Sequence, residues 1–158
     1  MSEKVRLSVL DRRDFLLGAG GVAALAAFLP LGTRPARAGA NWQDAMKAVI
    51  GDAKPAEGKV SLGLPEIAEN GNTVPFSVDV DSPMTSGDHV KAVHVFATGN
   101  PRPTVVTFRF SPASGKASAR SRMRLGKTQD VIAVAEMSDG KFYMGRRSVK
   151  VTIGGCGG

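Results

Sequence analysis

The stretch Val74-Pro75-Phe76-Ser77-Val78-Asp79-Val80 alternates apolar and polar side chains, with Phe76, Val78 and Val80 on one face and Asp79 on the other. Successive side chains of a strand point to opposite faces, so this pattern reads as a half-buried β-strand. Working outward, the same reading applies to Val60–Leu64, Val90–Thr98, Thr104–Phe110, Ala117–Leu125, Val131–Met137 and Phe142–Ile153, giving about seven strands. Val106, Phe108 and Phe110 share a face, as do Val149, Val151 and Ile153, and each set is expected in the core. Clusters of Gly, Pro, Asn and Asp separate the segments at the spacing of a β-sandwich. Asn70-Gly71 and Asp139-Gly140 are expected to close hairpins, because both pairs accept positive φ. Upstream, Trp42, Ala45, Met46, Val49 and Ile50 recur at helical spacing, with Asn41 to cap the helix and Gly51 to end it. Lys54–Gly58 is expected to be a linker. The fold class is therefore an all-β sandwich with a short N-terminal helix.

Residues 1–38 read as an export leader of the twin-arginine type, to be set aside from fold reasoning. Arg12-Arg13 is followed by Phe15 and Leu16, then by a Gly/Ala-rich apolar stretch, and Ala36-Arg37-Ala38 supplies a cleavage signal between Ala38 and Gly39. The apolar stretch is short for a membrane span. Its removal leaves about 120 residues of the 158, enough for one domain with a real core. The leader holds six basic and three acidic residues, so the formal charge of +7 falls to +4 in the mature chain. The remaining organisation is residues 39–58 as helix and linker, 59–153 as the sandwich and 154–158 as a terminal arm. Arg120, Arg122 and Arg124 alternate along one segment and share a strand face, expected to be solvated, although such a face also suits an acidic partner or an anion. One Tyr and one Trp provide no aromatic platform for nucleic-acid bases.

Cys156 is the only cysteine, so no internal disulfide forms, and it sits in the run Gly154-Gly155-Cys156-Gly157-Gly158 at the end of the chain. Glycines bury no apolar area and lose the most entropy on ordering, so this segment is expected to be a flexible arm, leaving Cys156 about 10 Å beyond Ile153. Glycine flanks leave the sulfur open to approach and let the backbone follow a narrow channel in another protein. No His, helix N-terminus or cation adjoins the thiol in sequence to depress its pKa, so its reactivity is expected to come from an enzyme it visits. An inert core thiol, an intermolecular disulfide in an adhesion or assembly sandwich, and a nucleophile of a redox enzyme are the competing readings. His89 and His94 are five residues apart on opposite faces and make a poor chelating pair; a copper site of the Cys-His-Met kind has no counterpart after Cys156. No metal and no resident cofactor is expected. Met84, Met123, Met137 and Met144 read as core filler. Gly-rich phosphate loops, nucleophile elbows and paired carboxylates are missing from the mature sequence.

The terminal Gly154-Gly155-Cys156-Gly157-Gly158 run, the twin-arginine leader, and the segments Gly63–Pro75 and His94–Pro103 together resemble the SoxY family of thiosulfate oxidation. The resemblance implies an immunoglobulin-like antiparallel sandwich, and a periplasmic, non-catalytic sulfur carrier paired with a second sandwich, SoxZ. It further implies that intermediates, an S-thiosulfonate and a persulfide, stay covalently bound to Cys156. They would be presented to the c-type cytochrome SoxXA, the hydrolase SoxB and the sulfur dehydrogenase. Because the twin-arginine route moves folded proteins, export together with a leaderless partner is also expected.

Overall fold

The computed structural model describes residues 41–155. Arg12, Arg13, Ala38 and Gly39, read above as part of a leader, and the tail residues Cys156, Gly157 and Gly158, lie outside the described residues. Nine strands run in chain order: β1 (Ala56–Glu57), β2 (Val60–Gly63), β3 (Ile67–Asn70), β4 (Val74–Val80), β5 (Val90–Ala97), β6 (Thr104–Arg109), β7 (Ala117–Met123), β8 (Gln129–Met137) and β9 (Phe142–Ile153). Among the described residues one helix, α1 (Trp42–Ile50), precedes them, and a 3-10 turn (Pro112–Ser114) separates β6 from β7.

The larger sheet has the order β1-β9-β8-β5-β6, with β3 also on β9, and the smaller has the order β2-β4-β7. The two inner faces meet in one apolar layer. Leu62, Val74, Phe76, Val78, Val80, Ala117 and Met123 come from the small sheet, and Val93, Val95, Ala97, Val131, Ala133, Ala135 and Val149 from the large one. The alternation read in β4 is therefore the true pattern, buried at 74, 76, 78 and 80 and open between. Phe76 and Phe108 close the layer with ring centroids 6.2 Å apart, and Met84, Met123 and Met137 fill it.

Two strands depart from one-sided burial. β5 and β8 are buried on both faces, because α1 lies over the outside of the large sheet. Ile50 is buried there with Phe96, Ile132 and Val134, and Trp42, Ala45, Met46 and Val49 pack around them, the helical set expected from spacing. The Asn41 side chain accepts from Gln43 N at 3.3 Å, and Gly51, at φ 63°, ends the helix by donating to Lys47 O at 2.8 Å. The architecture is thus a β-sandwich with a helical third layer, and its near-continuous apolar runs in β5 and β8 follow from that cover.

Four expectations are corrected. The seven strands become nine, since β1 and β3 are short and pair in parallel with β9, at Ala56↔Tyr143 and Ile67↔Lys150. The linker expected at Lys54–Gly58 therefore carries β1. Asp139-Gly140 does join the paired strands β8 and β9, with Gly140 at φ 82°. Asn70-Gly71 closes no hairpin, because β3 belongs to the large sheet and β4 to the small one. Burial along β9 also fades toward the tail: Val149 is fully buried, but Ile153 is 67% exposed, as β9 runs past the small sheet.

Candidate functional site

β9 delivers the tail. Its last pairs are with β3, at Val151↔Ala68 and Ile153↔Asn70. Thr128 Oγ1 accepts from Val151 N at 3.0 Å, and Thr152 Oγ1 donates to Glu69 O at 2.9 Å. Beyond Ile153 three backbone segments converge. Gly71 N donates to Ile153 O (2.7 Å), Leu125 N donates to Gly71 O (2.8 Å), and Gly155 N donates to Leu125 O (3.0 Å). Gly155 is buried although three residues follow it.

The arm expected to be free from residue 154 is therefore anchored as far as Gly155, and the reason is steric. None of Gly71, Gly154 and Gly155 has a positive φ, so backbone conformation does not demand glycine at these positions. Space does. A Cβ on Gly155 would lie 2.7 Å from Gly71 O and 2.9 Å from Gly71 C, and one on Gly71 would lie 2.7 Å from Gly155 N and press into Leu125 O. A Cβ on Gly154 would meet Gly126 O. Anchoring moves the last fixed residue from Ile153 to Gly155, the last of the described residues.

The Leu125 segment is itself held from within. Asn100 Nδ2 donates to Arg124 O (2.8 Å), and Gly126 N donates to Asn100 Oδ1 (3.0 Å). Gln129 Nε2 donates to Asn100 Oδ1 (2.8 Å) and Lys127 O (3.0 Å), while Gly99 N donates to Gln129 Oε1 (2.7 Å). Asn100 and Gln129 are 8% and 7% exposed, and with His94 they are the buried polar residues among those described. Sequence reading missed both, along with Gly71 and Leu125. Leu125, expected as the end of a strand, lies beyond the β7 ladder, whose last pair is Val74↔Met123.

The other candidates separate. His89 lies before β5, and its Nδ1 donates to Thr85 O at 3.1 Å. His94 faces the helical layer, its Nδ1 3.0 Å from Thr107 Oγ1 and its Nε2 buried without a partner among the described residues. Burial holds the His94 pKa below its ordinary value, with Arg109 adding to the fall and Glu136 opposing it. Arg120 and Arg122 are exposed on the outer face of the small sheet, and Arg124, also exposed, lies just beyond β7. Arg120 sits beside Ser77 and Arg122 beside Pro75, along an open groove of about 770 Å³. Among the described residues no group of three or more His, Cys, Asp or Glu side chains is placed to hold a metal ion. Within the same residues no helix is long and apolar enough to cross a membrane.

The family model for sulfur oxidation protein SoxY matches residues 46–156, from within α1 to the tail cysteine. This chain belongs to the SoxY family. Among solved structures, the sulfur carrier protein SoxY from Chlorobium limicola f thiosulfatophilum is 34% identical. The match covers 70% of this chain and 96% of that one, with a TM-score of 0.59. The superoxide reductase (neelaredoxin) of Ignicoccus hospitalis is 15% identical, covering 60% of this chain and 80% of its own, with a TM-score of 0.53. A putative superoxide reductase from Thermotoga maritima is 17% identical, with coverage of 62% and 87% and a TM-score of 0.51. The two reductases share the fold alone. A search of the curated proteins returns no match.

Proposed function

We propose that this SoxY-family chain is a periplasmic, non-catalytic carrier on which sulfur intermediates of thiosulfate oxidation are held covalently at Cys156. The observation that carries the reading is the family match itself, which runs to Cys156, the only cysteine of the chain. A solved structure 34% identical to this chain is that of a sulfur carrier protein.

The chemistry suits a thiol. Loading forms an S–S bond between Cys156 Sγ and the outer sulfur of thiosulfate, giving a cysteine S-thiosulfonate with loss of the thiol proton and two electrons. The electrons pass to a c-type cytochrome enzyme, SoxXA. Hydrolysis by SoxB then breaks the bond between the outer sulfur and the sulfonate, water supplying the fourth oxygen of the released sulfate, and leaves a persulfide. A sulfur dehydrogenase then removes six electrons from the outer sulfur, passing them to a c-type cytochrome while water supplies three oxygens, and a second hydrolysis of the resulting S-sulfonate releases sulfate and restores the thiol. A disulfide-like linkage is stable yet open to attack, which an ester to a hydroxyl would not match. SoxZ is the proposed heterodimer partner, and the twin-arginine leader the proposed route to the periplasm.

Intact-mass measurement of protein purified from thiosulfate-grown cells tests the reading. Adducts of sulfur and of sulfur plus sulfonate, removed by reductant and missing from Cys156→Ser, are the expected result. Cross-linked chains without small adducts, or thiosulfate-dependent growth supported by Cys156→Ser, would overturn it.

A further inference from the structure

Gly155 could have been a free end. Instead it is buried, and its N–H is fixed on Leu125 O. Leu125 in turn belongs to a segment in which Arg124 O, Gly126 N and Lys127 O are bonded to two buried amides, Asn100 and Gln129. Each brings amide groups that must be satisfied if they are buried, and a satisfied buried network fixes one geometry where an apolar contact would permit several.

We propose that Asn100 and Gln129 are positioning residues for sulfur transfer. They hold Arg124–Lys127 as a cradle for Gly154 and Gly155, so that Cys156 leaves the domain from one fixed point. The inference rests on the carrier reading of Cys156 and adds to it the statement that the thiol is presented from an anchored root. Partner enzymes would then meet the end of the sandwich formed by Asn70–Asn72, Gly99–Pro103 and Arg124–Thr128, and not the sulfur alone.

The test uses the full mature chain in Asn100→Ser and Gln129→Glu variants, with Gly155→Ala attacking the same junction from the tail side without touching the core. Amide hydrogen exchange at Gly155 and Leu125 is expected to rise about tenfold, the weight of one lost buried hydrogen bond, while exchange at Val95 and Val134 stays at the wild-type rate. Thiosulfate-dependent loading by the cognate cytochrome enzyme is expected to lose about ten- to a hundredfold in kcat/KM, the penalty of a misplaced reacting group. Alkylation by iodoacetamide, which needs no docking, is expected to hold its rate.

Gln129→Glu adds a readout that plain structural support would not move. Its carboxylate cannot donate to Asn100 Oδ1 or Lys127 O, but its protonated form donates once while still accepting from Gly99. Loading relative to wild type is therefore expected to recover as pH falls from 8 toward 5. Unchanged exchange at Gly155, an equal rise at Val95 and Val134, or a flat pH ratio for Gln129→Glu would overturn the proposal. Wild-type protein that takes up no sulfur would sink the carrier reading instead, and the exchange data would still decide whether the cradle holds the root.

Discussion

Gly71→Ala isolates the junction beneath the tail. The added methyl would lie against Leu125 O, 2.7 Å from Gly155 N and 3.0 Å from Val151 Cγ1. The first two are backbone atoms, so no side chain can swing aside, and relief requires β3, β9 and the Leu125 segment to move apart. Three hydrogen bonds depend on that spacing, at 2.7, 2.8 and 3.0 Å. At about 0.5–1.5 kcal/mol each, their loss is worth about 1.5–4.5 kcal/mol. The alanine also restricts the unfolded chain, offsetting about 0.4–1 kcal/mol. The net is a destabilisation of about 1–4 kcal/mol, or about 3–6 °C in Tm per kcal/mol for a domain of this size. The control is Gly87→Ala, where the new methyl meets nothing within 4 Å and φ is not positive; it is expected to be neutral or slightly stabilising. Urea unfolding of the mature chain measures both. A Gly71→Ala midpoint matching that of Gly87→Ala would refute the steric account of the junction, and with it the claim that Gly154 and Gly155 are packed in place.

His94 sets an acid limit on stability. Its folded pKa lies below the ordinary value, so as pH falls through about 6.5 the unfolded chain binds a proton that the folded one refuses, and stability drops by at most about 1.4 kcal/mol per pH unit until the folded group titrates as well. Urea midpoints from pH 8 to 5 should fall more steeply for wild type than for His94→Gln; parallel curves would remove His94 as the cause. Replacing Arg12 and Arg13 with Lys is expected to hold the chain, and a leaderless partner with it, in the cytoplasm, as read by fractionation. A partner that still reaches the periplasm alone would end the idea of joint export.

The fold was legible where burial is one-sided. β4 shows its inner and outer residues by strict alternation, and α1 shows its apolar stripe because only that stripe meets the sheet. β1 and β3 were hidden because strands of two and four residues joined in parallel to a distant partner leave no local period. β5 and β8 gave apolar runs whose two-sided burial depends on a helix far off in sequence. Asn70-Gly71 misled for a related reason: the pair has the composition of a hairpin turn, but the partner that decides its conformation is Gly155, more than eighty residues away.

The tail shows why composition alone could not describe the site. A glycine can be required for its freedom, for a positive φ, or for lacking a Cβ where two backbones touch, and the three leave the same letter in the sequence. Gly51 and Gly140 belong to the second kind, and Gly71, Gly154 and Gly155 to the third. For the thiol the difference is one of reach. A chain free from residue 154 would let Cys156 wander over a radius of several residues, at an entropic loss each time it entered a partner. A root fixed at Gly155 has met most of that loss on folding, much as preorganisation does for any ligand. On the proposed carrier reading, an enzyme acting on Cys156 would have to be shaped to the end of this sandwich.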